Sequence, residues 1–235
     1  MTVPESGPGF YEPALRTLAV SRPRPGVLRM TSMVTPTRHA ADWDALSITE
    51  WLQFPGVPSL DITVRQFDAD RGILDIEFSP SLENTIMQRW LGSIEVGSST
   101  PIGGPRGRGL PNFESGRRVL LFADEASVPA VRAILQQWPA SATGTVWLDT
   151  PDPAAVAELP VVDGVGVVSF HVGMGFDPLV TAARRSDMDS TTTVWAAGER
   201  SRMDAIRAVC QDAGLSADDT RIFGYWSDDR RGRRG

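Results

Sequence analysis

Carboxylates apart, few side chains in this sequence can act as thiol nucleophile, imidazole or amine base, or nitrogen or sulfur metal ligand, and those present are far apart in the chain. His171 ends the run GVGVVSFHV, the place where a strand of an α/β sheet hands a polar group to its ligand-binding mouth. No G-x-S-x-G elbow accompanies it to make a hydrolase, so a structural or pocket-lining histidine is the expectation. With His39 and the single cysteine, Cys210, it gives too few ligands for a histidine/cysteine metal cage, while carboxylate sites stay open. Cys210 lies in the amphipathic stretch RSRMDAIRAVCQDAG and reads as a small buried residue rather than a redox thiol. All 23 basic residues are arginine. Without lysine there is no phosphate-loop lysine, no lysine Schiff base and no lysine general base.

The formal net charge of -6 argues against nucleic acid as the main partner. The closing RRGRRG is a local exception and reads as a solvated tail over residues 229–235. No apolar run resembles a signal peptide or a membrane span, which makes the expected location cytoplasmic, away from any membrane. Trp43, Trp51, Trp147 and Trp195 fall in separate segments and are expected mostly in cores, a minority lining an aromatic pocket.

The elements that must position these groups divide into two patterns. Residues 1–24 carry scattered Pro, Gly and Arg with little periodicity and read as an arm or a frayed first strand. From Val27 onward, short runs alternate polar with apolar residues: VLRMTSMV, SITEWLQF, DITVRQF, ILDIEF and TPIGGP. DADRG supplies a hairpin turn between the third and fourth. These features predict an antiparallel β-barrel over residues 25–113. ENTIMQRWLGSI puts Ile86, Trp90 and Ile94 on one helical face, starting near Asn84, as a cap on one barrel end.

PRGRGLPNFESG then reads as a linker. Beyond it, RVLLF at residues 118–122 is nearly continuous in apolar residues, and VPAVRAILQQW at 128–138 has helical period. TGTVWLD, GVGVVSFHV and TTTVWAAG repeat the strand type, and DPLVTAARR and the stretch around Cys210 supply helices. Strands alternating with helices predict a parallel-sheet α/β domain over residues 117–228.

Taken in order, DITVRQFDADRGILDIEF, QRWLGSIEVGSSTPIGGPRG, VLLFADEASVPAVRAIL, VWAAGE and IFGYW resemble the siderophore-interacting protein family over residues 25 to 227. That family has a ferredoxin-reductase-like fold, a flavin-binding barrel followed by a nucleotide-binding α/β domain. Its members are FAD-containing reductases that release iron from ferric siderophores using NAD(P)H or a ferredoxin. The resemblance implies FAD at the family's R-x-Y-T-x-R strand, which aligns on Leu60, Asp61, Ile62, Thr63, Val64 and Arg65. Thr63, Val64 and Arg65 are the cofactor-binding candidates there. Leu60 and Ile62 replace the arginine and tyrosine of the pattern, removing one guanidinium for the pyrophosphate and the ring that packs on the isoalloxazine.

The family's histidine and G-P-A-S turn correspond to Ser81 and to Thr85, Ile86, Met87 and Gln88. Thr85 and Ile86 are candidates through backbone amides at a helix start. Arg89 and Trp90 match the family and equally suit packing of the cap helix. On the NAD(P)H side the resemblance implies Asp124 and Glu125 in ADEASVPAV, where Ala123 replaces a glycine, and Gly198 and Glu199 in VWAAGE. Both segments are equally compatible with plain strand-to-helix turns, and there is no G-x-G-x-x-G fingerprint. Tyr225 and Trp226 match the aromatic pair that the family keeps near its flavin, and Ser227, Asp228 and Asp229 replace the Arg-x-Gly continuation.

Three functions are therefore expected to compete. One is FAD-mediated reduction of a ferric chelate with NAD(P)H or ferredoxin as donor. A second keeps the fold without flavin and uses a cleft between the domains to bind a small molecule for a non-redox step, such as a cyclisation in natural-product biosynthesis. A third is a non-catalytic interaction module.

Overall fold

The computed structural model describes residues 14–24, 27–35, 51–53, 62–68, 70–78, 85–106, 109–114, 116–170 and 177–227. His39, Trp43, Leu60, Asp61, Ser81, His171 and the basic tail lie outside them, as do the side chains of Trp51, Ile62, Thr63, Thr85, Ile86, Met87 and Gln88.

Seven strands form the first sheet: β1 (Ala14–Arg24), β2 (Val27–Thr35), β3 (Trp51–Gln53), β4 (Ile62–Asp68), β5 (Ile73–Phe78), β6 (Ser99–Pro101) and β7 (Gly103–Arg106). Their order is β6-β1-β2-β5-β4-β3-β7, with every pairing antiparallel. The two outer strands, β6 and β7, are separated in the chain by Ile102 alone, so the two edges meet and the sheet curls into a barrel. Alternation in β2 and β5 turns Leu28, Met30, Val34, Leu74, Ile76 and Phe78 inward onto Leu15, Val64 and Ile102. Helix α1 (Thr85–Ser93) closes one end through Trp90, whose ring meets Phe78 edge-on at 5.4 Å.

Of the two readings of residues 1–24, the described part is a strand and not an arm: β1 pairs with both β2 and β6. Its register shifts between Thr17 and Ala19, and such a bulge breaks the period-two pattern by which a strand is read from sequence. TPIGGP is two strands turning at a buried Ile102, not one.

The second sheet is parallel, in the order β10-β9-β8-β11-β12. Its strands are β8 (Arg118–Asp124), β9 (Thr143–Asp149), β10 (Val165–Phe170), β11 (Thr192–Glu199) and β12 (Thr220–Trp226). Between them run α2 (Val128–Gln136), α3 (Pro153–Ala157), α4 (Pro178–Arg185) and α5 (Arg200–Asp212). Val119, Leu121 and Ala123 of β8 face the core under α2 and α3, whereas Leu120 and Phe122 face the core under α4 and α5. Both faces are covered, which is why β8 is mostly apolar and β11 is buried along its whole length. Cys210 is buried in the second core, and burial pushes its thiol up to about 11, so it is an unreactive packing residue. Helix α3 has no sequence counterpart in the expectations because five residues are too few to display a period.

The connection expected to be a linker is packed rather than free. Leu110 and Phe113 join the core under α2 and α3, and Phe113 meets Trp138 edge-on at 5.0 Å. Trp138 presses on Gly144 so closely that a β-carbon there would lie 2.4 Å from the Val119 carbonyl oxygen and 2.8 Å from the indole. Gly144→Ala should therefore lower stability by about 1–3 kcal/mol through overpacking. Gly92→Ala, on the exposed face of α1 with nothing near its β-carbon, should be neutral or gain up to about 1 kcal/mol. Denaturant melts of the two variants check this opposition of sign.

Candidate functional site

A doubly wound parallel sheet offers its ligand mouth where the strand order reverses, beyond the carboxyl ends of the two strands flanking that point. Here those strands are β8 and β11, which end in Asp124 and Glu199. Asp124 is 4% exposed. Its Oδ2 accepts from the Glu199 backbone N–H at 2.8 Å and from the Trp226 indole N–H at 2.9 Å. Its Oδ1 accepts from the Ala126 backbone N–H at 3.1 Å and the Ser127 hydroxyl at 3.3 Å. One carboxylate thus joins the end of β8, the 3-10 turn Glu125–Ser127, the start of α5 and the end of β12. Gly198 has φ +156, and a β-carbon on it would lie 2.5 Å from Asp124 Oδ2. The spacing to the carboxylate therefore demands glycine at this point.

Burial raises the Asp124 pKa to about 6, against the opposing pull of its hydrogen bonds to Trp226 and Glu199. Glu199 caps α5, accepting from the Arg202 backbone N–H at 3.0 Å and from the Ser201 hydroxyl. Arg202 then gathers the remaining strand end. Its Nε donates to Asp177 at 2.7 Å and its Nη2 to Asp149. Asp177 in turn caps α4 by accepting from Leu179 and Val180 N–H. Burial works against the Arg202 charge, yet hydrogen bonds to Asp177 and Asp149 outweigh it, and its pKa lies above the ordinary arginine value. Asp149 Oδ1 has no partner among the described residues.

The sequence-derived candidates thus fare differently. Asp124, Gly198, Glu199 and Trp226 come together in one cluster, with Glu125 half-buried as the first residue of the 3-10 turn. Tyr225 is 2% exposed and packs in the core with Leu121, Trp195 and Ala197. Val64 is likewise a barrel-core residue at 1% exposure, leaving only its backbone for any ligand. Thr63 pairs with Trp51 in the sheet. Thr85 and Ile86 open α1, where N–H groups of a first turn lack intrahelical partners.

Arg65 lies at the seam of the two halves, 3.5 Å from Glu77 and 3.3 Å from Glu158. The sequence reading missed Asp149, Asp177, Arg202 and Glu158. Only Asp149 had a signal: it closes TGTVWLD as Asp124 closes RVLLFAD, and the two sit side by side in register. A cavity of about 530 Å³ lies within the α/β half, along α4, lined by Leu120, Thr145, Thr181 and the stacked pair Trp147 and Phe170.

The family profile described as Siderophore-interacting protein matches residues 116–229. The α/β half is similar to that family over nearly its whole length. Similarity also extends over both halves: the chain is 29% identical to the ferric acinetobactin reductase of Acinetobacter baumannii over 220 residues, 90% of this chain and 77% of that protein. The solved siderophore-interacting protein from A. baumannii superposes with a TM-score of 0.82 at 26% identity, covering 94% of this chain and 92% of that one. The ferredoxin reductase of carbazole 1,9a-dioxygenase, at 15% identity and a TM-score of 0.67 over 91% of this chain and 66% of its own, shares the fold. The two-part architecture is thus ferredoxin-reductase-like, and the functional likeness is to siderophore-interacting ferric reductases. Cyclisation in natural-product biosynthesis finds no support among these relatives. Among the described residues no helix is long and apolar enough to cross a membrane.

Because burial lifts the folded Asp124 pKa to about 6, above the ordinary aspartate value of 3.8, the folded state binds the proton more tightly than the unfolded chain. Its contribution to stability is fully present below about pH 4 and is lost as pH rises through about 6, a change on the order of 3 kcal/mol. Asp124→Asn keeps a carbonyl for Trp226 and Glu199 and cannot ionise. Denaturant melts from pH 4 to 8 should show the wild type losing stability relative to this variant as pH rises. A difference that stays constant with pH would contradict the assignment.

Proposed function

We propose that the protein reduces ferric siderophores through a bound FAD, with NAD(P)H or a reduced ferredoxin as electron source. The observation that carries this reading is the two-part similarity to a ferric acinetobactin reductase, which runs through barrel and α/β half alike. Two kinds of candidate donor, a guanidinium at the seam and backbone amides at the start of α1, suit the cofactor's pyrophosphate. Arg65 holds a guanidinium at the seam whose present partners are exchangeable carboxylates, and the first-turn amides of Thr85 and Ile86 suit anions. When bound, the flavin would take two electrons from a hydride donor and release them singly to two ferric ions, leaving an oxidised donor, two ferrous ions and a proton.

The chain's own residues bind and orient. Asp124 fixes the 3-10 turn, the Gly198 to Glu199 turn and the Trp226 ring in one arrangement, so the α/β mouth is ordered before any donor arrives. Asp124 and Glu199 are consumed by internal donors and serve as positioning residues. Thr63, with its backbone in β4 between Ile62 and Val64, is the candidate for a hydrogen bond to the flavin ring, and Leu60 and Ile62 leave that ring without the stacking tyrosine of the family pattern.

The purified protein, mixed with FAD, should show flavin absorbance that co-elutes on gel filtration. It should also form ferrous iron, trapped by a ferrous-specific chelator, from a ferric catecholate with NADPH, NADH or reduced ferredoxin. Arg65→Ala should cut FAD affinity by about 10-fold or more, as expected for one charge-assisted contact. A protein that stays colourless with FAD and forms no ferrous iron with any of the three donors sinks the reading.

A further inference from the structure

Three guanidiniums converge on one oxygen at the seam between the halves. Glu158 Oε2 lies 3.3 Å from Arg65, 3.4 Å from Arg132 and 3.8 Å from Arg29. Arg29 and Arg65 come from barrel strands β2 and β4, Arg132 from α2, and Glu158 from the C-terminal end of α3. A second carboxylate, Glu77, with 6% of its side chain exposed, sits across the β2–β5 pair from Arg29 and holds it at 2.8 Å. Glu77 also lies 3.5 Å from Arg65. Among these five groups one positive charge is in excess.

The two carboxylates are not equivalent. Glu77 is buried within the barrel's own strand pairing. Glu158 reaches across from the other half, at the end of a five-residue helix, and 38% of its side chain is exposed. Its distances of 3.3 to 3.8 Å are long for charge-assisted hydrogen bonds, which normally run about 2.7–2.9 Å, because a single oxygen cannot align with three planar forks at once. Arg132 registers the shortfall. Its pKa is lowered by burial and by the neighbouring charges of Arg65 and Arg29, with Glu158 and Glu77 only partly opposing them. A phosphate group, with three oxygens and up to two charges, matches three guanidiniums better than one carboxylate does.

We propose that Arg29, Arg65 and Arg132 form a phosphate-class anion site bridging the two halves, and that Glu158 is the internal anion filling it until a ligand phosphate displaces it. The inference shares Arg65 with the flavin reading but rests on the ion cluster alone. The anion can come from a nucleotide's pyrophosphate or from free pyrophosphate, and the two are separable by titration.

Calorimetric titration at low salt with inorganic pyrophosphate, and separately with FAD, tests the site on the full chain. Glu158→Gln should bind pyrophosphate about tenfold more tightly than the unaltered protein, and adding Arg132→Gln to that variant should lose at least as much. If FAD affinity rises in parallel, the ligand phosphate is the flavin's. If pyrophosphate tightens while FAD does not bind, the anion site stands and the flavin reading falls. Equal pyrophosphate affinity with and without Glu158, or no binding to either protein, overturns the inference. Should Glu158→Gln fail to fold, Arg132→Gln alone carries the test: it should remove more than half of the rise in melting temperature that pyrophosphate gives the unaltered chain. An undiminished rise, or no rise to begin with, overturns the site equally.

Discussion

A carboxylate buried at the end of a central strand must find donors or raise the free energy of the whole fold by several kcal/mol. Asp124 finds four, supplied by three separate stretches of the α/β half. Each donor is a demand on another part of the chain. Gly198 must lack a side chain, the 3-10 turn must begin directly after β8, and Trp226 must lie with its indole N–H turned to the strand ends. The second knot, Arg202 between Asp149 and Asp177, fixes the next strand and the next helix start in the same way. Between them these two clusters hold the carboxyl ends of three adjacent strands, β9, β8 and β11, in a set arrangement.

The two halves meet by two kinds of contact. Leu110 and Phe113 anchor the connecting segment onto the α/β core by apolar packing, which depends little on salt or pH. The seam around Glu158 is ionic, half-solvated and long in its distances. Partly exposed ion pairs of this sort contribute little to stability and can be exchanged at small cost. The connection therefore keeps the halves together, while the seam leaves charged groups free to change partners.

The strands whose residues face one core and one solvent side were legible, because period two is written directly into VLRMTSMV and ILDIEF. The doubly covered strands were legible as continuous apolar runs. β1 was not, because its bulge between Thr17 and Ala19 shifts the alternation midway. At the site, strand-end position and family likeness pointed to Asp124, Gly198, Glu199 and Trp226. Their mutual contacts depend on sheet register between residues 75 and 102 positions apart, which no local pattern encodes. Tyr225 and Trp226 illustrate the same limit: both pack against the core under α2 and α3, because the register of β11 with β12 shifts between Gly198 and Glu199 and skips Tyr225, a bulge that local alternation does not encode. The partners of Arg65 follow this rule too. Glu77 belongs to the neighbouring hairpin strand, whereas Glu158 comes from 93 residues away.

The meeting of β6 and β7 at Ile102 also sets an order of assembly. β1, the first strand described, pairs with residues 99–101, so the barrel cannot close until the stretch just before the connecting segment has left the ribosome. Its closing contacts are therefore among its most distant in sequence, and loop-closure entropy makes such pairings slow. In the α/β half, by contrast, a nearby helix leads to each neighbouring strand except at the β8–β11 pair, which joins distant segments. During synthesis the barrel would remain an open ribbon with both edges unpaired until its last two strands arrive together.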